Sequence, residues 1–434
     1  MITRIKIKGY KSLIDADIQL QPFSVLVGPN EAGKSNFLDA LQLLSRITSV
    51  RTLKQAFEPP NRGNPLESFS FGQEGIKGLL KKDRVALSFE ADIKLSDTLI
   101  DSVHQQIRIM KSPAKKNENE LNHADSKKLE TYLRYRIEIE ILPQSGFLRL
   151  TDEYLAPLKH NGEIKTSRNP FIEKVGDCIH VRIESQAHPT YYPLHLDHSI
   201  LSLPFFTPHY PHIAALQKEF LSWHFHFFEP RERMRASSPV KEVRYIGYMG
   251  EELSSFLNTL KVSNPGQFHA LEKELNLIVP SVTGIEVSVN DHGEVELHLS
   301  EGQKPIPLGI VSEGTLRVLG LLAMWGVKEP PSLVGIEEPE NGINPRRIKL
   351  IAELLKNKIS TGKTQLIAAT HSTILTDLIP DENLYICRKR EGKTLLEHFS
   401  AWGSLSRKAV YEKALDEEEG IGASSGRIMQ DDAE

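Results

Sequence analysis

The first part of the chain alternates apolar and polar residues in a way that predicts a short α/β unit. Ile2, Ile5 and Ile7 are separated by polar residues, which is typical of a strand with one buried face. Residues 23–27 (FSVLV) are apolar apart from one serine and predict a buried strand, and apolar residues at helical spacing follow over 37–44. A glycine-containing segment separates this strand from this helix.

The pattern changes between residues 49 and 240, where predicted strands are separated by polar connections. Residues 85–93 and 135–142 show the strand pattern. Residues 111–128 contain almost no apolar side chain, which predicts a solvated, poorly ordered segment. Residues 187–230 are rich in His, Pro and aromatic residues. We interpret residues 49–240 as a lobe inserted into the α/β unit.

Regular alternation of helices and strands returns after residue 241 and predicts the rest of the same domain. The expected helices lie near residues 253–260, 268–278, 312–325 and 346–358, and the expected strands near 284–289, 294–299, 332–336, 365–369 and 384–387. The predicted fold class is α/β, with one domain built from residues 1–48 and 241–400 around an inserted α+β lobe. Residues 401–434 are a C-terminal extension whose acidic end predicts a disordered tail.

Composition narrows the class of protein without identifying it. The 434 residues carry a formal charge of -4, with 39% apolar and 25% charged residues, which indicates a globular protein without an overall basic coat for nucleic acid. The composition still leaves a local basic groove for nucleic acid as an alternative. Cys178 and Cys387 are too few for a disulfide scaffold, and no apolar stretch approaches the roughly 20 residues that span a bilayer. We therefore expect a cytoplasmic protein with no membrane partner.

The strongest chemical signal is residues 28–35 (GPNEAGKS), which match the phosphate-binding pattern G-x-x-x-x-G-K-[ST] between a predicted strand and a predicted helix. The glycines let the backbone curl so that its N–H groups face phosphate oxygens at the positive helix end. Lys34 is expected to neutralise the β- and γ-phosphates, and Ser35 to ligate Mg²⁺. The segment predicts binding of ATP or GTP, and we take ATP with Mg²⁺ as the expected pair. The predicted nucleotide-binding residues of this segment are Gly28, Asn30, Gly33, Lys34, Ser35 and Asn36.

A second signal is an apolar run, residues 333–336, that ends in Glu337 and Glu338. A buried parallel strand delivers side chains to its carboxyl end, where ligands bind in such sheets. Glu337 is expected to hold Mg²⁺, directly or through water, and Glu338 to polarise the attacking water. Taken alone, a surface acidic pair after a core strand explains the pattern equally well.

Two further signals are weak individually. Residues 312–315 (SEGT) precede apolar residues at helical spacing, so Ser312 and Gly314 would offer a hydroxyl and a helix N-terminus to an anion. On its own this is a capped helix. His371 follows the predicted strand 365–369, and a lone histidine at a strand end is usually structural.

The order of these four segments resembles the pattern of ABC-type ATPases, in the branch that contains RecF, SMC-like and OLD (overcoming lysogenization defect) ATPases. Residues 337–345 (EEPENGINP) are similar to the E-E-P-E-x-G-L-H-P run of the OLD-like group, and residues 370–372 to its T-H-S. The resemblance covers residues 1–48 and 240–400. It extends to the ATPase subunits of bacterial antiphage systems of the Septu and PARIS type.

The resemblance implies that two copies, or a higher even number, pair head to head over ATP. The phosphate loop of one copy would face Ser312 and Gly314 of the other, while His371 would sense the γ-phosphate. Lys11 matches the family's K/R-S pair near the first strand, which implies a place beside the nucleotide. A nucleotide-sensing glutamine is expected between residues 49 and 95, with Gln73 as the candidate.

The sequence also departs from the family pattern. Glu337 replaces the Asp common in transporter ATPases, and S-E-G-T replaces L-S-G-G-Q, so the second glycine of that motif is lost. The residues after His371 lack the glycine-flanked Glu and D-x-D of a Toprim nuclease domain. We therefore expect a slow, regulatory ATPase that controls a separate effector, a nuclease or a toxin, in antiphage defence.

Alternatives stay open for the function and for two segments. A DNA-binding ATPase of repair or recombination, resembling RecF and SMC proteins, is the main alternative function, and a transporter motor is disfavoured by the long insertion. The histidines between residues 188 and 226 form a structural segment or a metal-nuclease site. The basic run Arg231, Arg233 and Arg235 fits a phosphate contact or, more readily, a solvated face or subunit contact.

Overall fold

The computed structural model describes residues 1–72, 74–111, 129–184, 188–205, 207–327, 329–403, 406–407 and 409–410. All but the first residue of the predicted flexible segment 111–128 lies outside these ranges, as do Gln73 and the predicted acidic tail from residue 411 onward. Within the described ranges, no helix combines the length and the apolar character needed to cross a membrane.

The described residues form strands and helices with the following bounds. The strands are β1 (Ile2–Tyr10), β2 (Leu13–Gln19), β3 (Phe23–Val27), β4 (Val85–Lys94), β5 (Tyr132–Leu142), β6 (Phe147–Pro157), β7 (Ile172–Val175), β8 (Cys178–Val181), β9 (Thr190–Pro193), β10 (Trp223–His226), β11 (Ser238–Pro239), β12 (Gly284–Val289), β13 (Glu294–Glu301), β14 (Lys304–Pro307), β15 (Leu333–Glu337), β16 (Gln365–Thr370), β17 (Leu384–Arg390) and β18 (Lys393–His398). The helices are α1 (Lys34–Ile47), α2 (Leu53–Ala56), α3 (Gly75–Leu80), α4 (Asp97–Lys111), α5 (Pro211–Leu221), α6 (Leu253–Ser263), α7 (Pro265–Ile278), α8 (Glu313–Ala323), α9 (Pro345–Ser360) and α10 (Thr373–Asp377).

A six-stranded sheet carries the candidate site, with the strand order β10-β15-β16-β3-β17-β18. Neighbouring strands from β10 to β17 are parallel, and β18 returns antiparallel to β17. The three central strands β15, β16 and β3 are buried along their whole length, as expected for strands covered on both faces. A strand from the start of the chain therefore lies between two strands from its end.

A separate antiparallel sheet of eight strands has the order β2-β1-β4-β5-β6-β7-β8-β9. Its long strands alternate buried and more exposed residues, because one face packs on the core and the other faces solvent. One hydrophobic cluster joins the inner face of this sheet to α1 and α5, through residues such as Ile137, Phe37 and Phe220. These two helices therefore lie between the antiparallel and the parallel sheets.

The other face of the parallel sheet is covered by helices and by a third sheet. This small sheet has the order β11-β13-β12, with β14 also paired to β13. A second hydrophobic cluster joins it to α6, α7, α8 and α9 and to the parallel strands, through residues such as Leu275, Leu319 and Ile336. The parallel sheet is thus packed between two cores.

The elements that the hydrophobic pattern predicts lie close to elements of the structure, but the pattern did not predict strands β6 to β9 or helices α2 to α5. β3 and β12 have the predicted bounds, and β5 begins three residues earlier than expected, at Tyr132. The helix expected from residue 312 begins at Glu313, because Ser312 is its N-cap and has extended backbone. Strand pairing, however, crosses both predicted domain boundaries: β1 pairs with β4, and β10 pairs with β15. The division at residues 48 and 241 stays a prediction, since pairing alone does not define independent units.

Candidate nucleotide-binding site

Three adjacent strand ends bring the predicted catalytic segments to one edge of the parallel sheet. β3 ends at Val27, directly before the phosphate loop, while β16 ends at Thr370, directly before His371, and β15 ends at Glu337. Because β16 lies between β3 and β15, His371 lies between the phosphate loop and the two acids. This is the carboxyl edge of the sheet, where ligands bind in open α/β folds.

Close contacts explain why two positions of the phosphate loop are glycine. A Cβ on Gly28 would lie 2.0 Å from the carbonyl oxygen of Cys387, and a Cβ on Gly33 would lie 1.9 Å from Oγ1 of Thr394. Gly33 also has a φ of 99°, which side chains disfavour. Strands β17 and β18 therefore press against the loop, and a side chain at either glycine has to displace them.

Lys34 is buried at the start of α1 and is held by the loop itself. Its Nζ donates hydrogen bonds to the carbonyl oxygens of Gly28 (2.8 Å) and Pro29 (2.6 Å). The loop therefore wraps around its own lysine, which keeps the ammonium group within the predicted phosphate cradle. Asn30, at the tip of the loop, is exposed.

Hydroxyl and thiol groups of distant residues form the floor of the loop. Thr394 Oγ1 donates to the carbonyl of Ala32 (2.9 Å) and lies 2.7 Å from Oγ of Ser12, which also accepts from Nδ2 of Asn36 (2.7 Å). Cys387 Sγ donates to the same carbonyl at 3.2 Å, and burial raises the pKa of this thiol to about 12. Asn36, predicted to bind nucleotide, is engaged in this floor.

Ser35 and Glu337, the two predicted metal ligands, are joined by a hydrogen bond. Ser35 Oγ donates to Oε2 of Glu337 at 2.7 Å, and Arg62 Nη2 donates to Oε1 of the same carboxylate. Glu337 is 7% exposed, and this burial raises its pKa although Arg62 acts in the opposite direction. A serine hydroxyl and a carboxylate are the hard oxygen donors that Mg²⁺ prefers, so the residues fit this ion. The longer side chain that replaces Asp reaches the serine without difficulty.

Asp39 organises a cluster of charges behind this pair. It is 2% exposed and accepts hydrogen bonds from Lys11 Nζ (2.8 Å) and from Arg62 Nη2 (2.9 Å). Lys11 has a positive φ of 43°, so its backbone is in the left-handed region as its side chain reaches α1. Lys11, predicted to stand beside the nucleotide, is bonded here to Asp39.

The motifs did not predict Asp39 or Arg62. Asp39 follows Ser35 by four residues on α1 and therefore shares its face of the helix, which is a signal that the sequence offered. Arg62 lies in an irregular stretch between α2 and α3 with no periodic pattern. Its place in the site follows only from the tertiary structure.

Glu338 and His371, the two predicted catalytic residues, are in direct contact. His371 Nδ1 lies 3.0 Å from Oε1 of Glu338, and Asn341 Nδ2 donates to Oε2 at 3.1 Å. The side chains of Glu338 and His371 are 28% and 51% exposed. Glu338 has a φ of 47°, and its N–H donates to the carbonyl of Ala369 at 2.7 Å. Such a backbone at a non-glycine residue costs energy and is typical of functional sites.

The buried carboxylate of Glu340 and the buried guanidinium of Arg317 lie near Glu338, without a hydrogen bond between the two groups. Glu340 is 5% exposed and accepts a hydrogen bond from Thr370, but its Oε2 has no partner among the described residues. Arg317, on α8, is 7% exposed, and its Nε and Nη1 likewise have no partner there. Burial raises the pKa of Glu340 and lowers that of Arg317. Neither residue was predicted from the sequence.

The Ser312 segment lies on an exposed part of the chain. Ser312 caps α8 by accepting from the N–H of Thr315 (3.2 Å), and its Oγ lies 2.8 Å from the hydroxyl of that residue. A Cβ on Gly314 would lie 2.4 Å from the carbonyl of Gly342, so the first turn of α8 packs directly on the loop after Glu338. Ser312 and Gly342 are exposed. Among the described residues, the hydrogen bonds of Ser312 stay within its own turn, so its predicted role would need a second copy.

The histidine-rich segment is largely structural in its last part. His224 and His226 lie on β10, and burial lowers their pKa values to about 4 and about 3. His226 Nδ1 lies 3.2 Å from the carbonyl oxygen of Gly247, and the ring of His224 packs on Tyr245. Across the part of the chain that the structure describes, no group of three or more His, Cys, Asp or Glu side chains is placed to hold a metal ion.

The basic run after this segment makes internal contacts. Arg235 donates to the carbonyl oxygens of Leu308 (2.8 Å) and Val311 (2.7 Å), which fixes the segment before α8. Arg231 forms an ion pair with Glu313 at 2.9 Å. Arg233 is exposed. Arg235 therefore has an internal role that neither interpretation of the sequence included, while for Arg231 and Arg233, which are exposed, a phosphate contact and a solvated face or subunit contact both stay predictions.

Two protein families match parts of this chain. Residues 1–174 match the family described as "AAA ATPase domain", and residues 188–377 match the family described as "AAA domain, putative AbiEii toxin, Type IV TA system". No curated protein matches the chain.

Among solved structures, the chain is similar to an SMC head bound to the C-terminal winged-helix domain of ScpA, with a TM-score of 0.51 and 12% identity over 91% of this chain and 97% of the other. An SMC head with an extended coiled coil bound to the C-terminal domain of ScpA, from Pyrococcus furiosus, gives a TM-score of 0.47 and 12% identity over 97% and 99%. The SMC head domain from Thermotoga maritima gives 0.41 and 13% identity over 91% and 97%. The first of these similarities confirms the predicted fold class, and the two family matches support an ATPase domain.

Proposed function

We propose that this chain binds ATP with Mg²⁺ at the edge of its parallel sheet and hydrolyses it between two copies paired head to head. One observation carries the proposal. The adjacent ends of β3, β16 and β15 place Lys34, His371 and the acids Glu337 and Glu338 side by side. Three motifs that are far apart in the sequence thus form one site with the chemistry of phosphoryl transfer.

Each residue has a role that follows from its contacts. Lys34 and the loop N–H groups bind the β- and γ-phosphates. Ser35 and Glu337 hold Mg²⁺, which neutralises charge on the phosphate oxygens when it is bound. Glu338 orients the attacking water and accepts its proton, and its strained backbone and the hydrogen bond to Asn341 fix the direction of its carboxylate. His371, bonded to Glu338, contacts the γ-phosphate from the neighbouring strand end.

The proposed pairing rests on the exposed groups of the Ser312 segment. Ser312, Gly314 and the loop with Asn341 and Gly342 lie together, and the contact between Gly314 and Gly342 holds them as one surface. A helix N-terminus with a free face favours an anion. In the paired state this surface would cover the γ-phosphate bound to the partner's phosphate loop.

The biological role that we propose is control of a separate effector, a nuclease or a toxin, in antiphage defence. The support is the OLD-like sequence pattern together with the family match whose description refers to a type IV toxin–antitoxin system. ATP binding would bias an open-to-paired equilibrium, and hydrolysis would reset it. We propose a slow, regulatory turnover in the cytoplasm, with direct DNA binding as the competing role.

The decisive experiment measures ATP hydrolysis and particle mass together. Wild-type protein with Mg²⁺ and ATP is expected to hydrolyse ATP and to shift from one copy towards two. Lys34→Ala is expected to lose nucleotide binding, hydrolysis and the mass shift, whereas the exposed control Lys363→Ala keeps all three. Hydrolysis by Lys34→Ala at the normal rate would overturn the assignment of the site.

The effector proposal needs a second experiment. Tagged Glu338→Gln protein with ATP, and tagged Lys34→Ala protein as its control, are used to recover bound macromolecules from the host. A nuclease or toxin that is retained only by the ATP-bound variant supports effector control. Retention of DNA alone, with binding that weakens steeply as salt rises, supports the repair alternative instead.

A further inference from the structure

We propose that Arg62 is a resident cation of the metal site, which neutralises Glu337 until Mg²⁺ enters together with nucleotide. This rests on the proposed function, since it concerns the same site. The guanidinium of Arg62 donates one hydrogen bond to Oε1 of Glu337 and others to Asp39, at 2.9 Å from Nη2 and 3.0 Å from Nε. It is thus fixed between two buried carboxylates.

The hydrogen bonds of Glu337 show for which of its two oxygens a metal ion would compete with Arg62. Its Oε2 accepts the hydroxyl proton of Ser35, and the lone pairs of that hydroxyl remain available to a metal ion. Its Oε1 is the oxygen that Arg62 occupies. A divalent cation that approaches Ser35 and Glu337 therefore competes with one specific ion pair and leaves the serine contact in place.

Burial explains why a cation is needed at this position. The side chains of Glu337 and Asp39 are 8% and 2% exposed, and a buried carboxylate without a cation is strongly destabilising. Lys11 supplies one positive charge, but its ammonium contacts only Asp39 among these two acids. Without Arg62, Glu337 would depend on Mg²⁺ for its counter-charge.

The position of Arg62 also allows its side chain to move away from Glu337. Its side chain is 42% exposed and it lies on the irregular segment between α2 and α3, whereas Glu337 ends a buried strand. If the bond to Glu337 breaks, the bonds to Asp39 still hold the guanidinium nearby. The exchange of cations therefore requires a local movement of one side chain and no unfolding.

The consequence is an order of binding. Mg²⁺ alone gains little binding free energy at this site, because it has to replace the existing ion pair between Arg62 and Glu337. Mg²⁺ bound to the phosphates of ATP brings its own further ligands and displaces Arg62. Arg62 is thus a positioning residue that makes metal binding depend on nucleotide.

The test uses metal without nucleotide. Unfolding temperatures are measured in EDTA and with rising Mg²⁺ for wild type, Arg62→Gln and the matched control Lys11→Gln, which removes a charge from the same cluster without touching Glu337. We expect wild type and Lys11→Gln to respond little to Mg²⁺. Arg62→Gln is expected to be less stable in EDTA and to regain stability as Mg²⁺ is added. Equal responses of wild type and Arg62→Gln, or no response of either, would overturn the proposal.

A spectroscopic readout covers the case in which Arg62→Gln folds poorly. Mn²⁺ binding to the nucleotide-free full chain is followed by electron paramagnetic resonance for wild type, Arg62→Lys and Arg62→Gln. The affinity for Mn²⁺ is expected to rise about tenfold from wild type to Arg62→Gln, and Glu337→Gln is expected to abolish the gain. An unchanged affinity contradicts the proposal. Because no ATP is present, these results are independent of whether the chain proves to hydrolyse ATP.

Discussion

The phosphate-loop side and the Ser312 side of the candidate site differ in how far one chain completes them. On the phosphate-loop side, the buried residues Lys34, Glu337 and Asp39 all have bonded partners within the chain. On the other side, Ser312 and Gly342 are exposed, and the hydrogen bonds that Ser312 makes to described residues remain in its own helical turn. Under the proposed function, the first side would bind ATP within one chain, whereas the second would act only when another molecule faces it.

The difference teaches that binding and hydrolysis should be separable. Changes on the phosphate-loop side should affect nucleotide affinity in a single copy. Changes on the Ser312 side should leave that affinity intact and affect only the paired, hydrolysing state. Each prediction below would sharpen this separation or remove it.

The largest effect is expected for Glu338→Gln, which removes the proposed base at the boundary between the two sides. Hydrolysis should fall about 10²- to 10³-fold while ATP affinity stays close to wild type, because general-base catalysis supplies effects of this size. Paired protein should accumulate with ATP. Single-turnover hydrolysis and mass measurement check both parts, and the neighbouring change Asn341→Asp, which keeps the size of a side chain bonded to Glu338, should lose less activity.

Ser312→Asp tests the exposed side with its helix cap preserved, because Asp caps helices as well as Ser. A carboxylate facing the partner's γ-phosphate should lower hydrolysis by about tenfold or more through charge repulsion. ATP binding measured with one copy should not change. Asn264→Asp, which places the same charge at the N-cap of α7, is the matched control.

Mixing two impaired variants gives a sharper form of this test. Lys34→Ala keeps a normal Ser312 side, and Ser312→Asp keeps a normal phosphate loop, so a mixed pair contains one intact composite site. Mixtures are expected to recover part of the wild-type activity. If they recover none, although each variant still pairs with wild type, the two sides do not act across an interface.

Two glycine-to-alanine substitutions, one on the phosphate-loop side and one on the Ser312 side, introduce similar steric conflicts. The added Cβ meets a backbone carbonyl at 2.0 Å in Gly28→Ala and at 2.4 Å in Gly314→Ala. Each should lower the free energy of unfolding by about 1–3 kcal/mol, as overpacking usually does. Gly28→Ala should also weaken ATP binding, whereas Gly314→Ala should leave it unchanged and slow hydrolysis. Chemical denaturation and fluorescence titration with a nucleotide analogue distinguish these outcomes.

Sequence-based prediction located the site residues that belong to short local motifs and missed those that reach the site through distant contacts. Lys34, Ser35, Glu337 and Glu338 could be predicted because each motif is short and specifies its own strand or helix end. Arg62 and Thr394 could not, because their contacts with the site arise only when distant segments pack together.

The fold could be predicted to a similar degree. Hydrophobic periodicity identified about half of the strands and helices of the described residues, since burial of one face imposes a period on the sequence. It gave no partner for β10, which joins the parallel sheet beside β15 although its residues were assigned to the inserted lobe. Pairing between such distant strands leaves no periodic signal. The nucleotide-sensing role predicted for Gln73 and the predicted domain division both stay predictions.

The smallest effect is expected from pH. Burial holds the pKa values of His224 and His226 at about 4 and about 3, below the 6.5 of an exposed histidine, so their neutral forms favour the folded state above pH 6.5. This stability is lost as the pH falls through the folded-state values. His226→Gln should therefore lower the midpoint of acid unfolding by about 0.5 pH unit, relative to the exposed control His292→Gln. An unchanged midpoint would show that this buried pair does not sense acid.

The hydroxyl of Thr394 beneath the phosphate loop has a consequence for synthesis of the protein. Residues 28–35 leave the ribosome first, whereas β16 and β17, which flank β3, and Thr394, which supports Ala32, are made at least 330 residues later. A nascent chain can therefore hold the complete loop sequence without a formed pocket until β16, β17 and Thr394 have been made. Newly made protein should become able to retain ATP only after Thr394 has left the ribosome, so that shorter nascent chains do not bind the nucleotide.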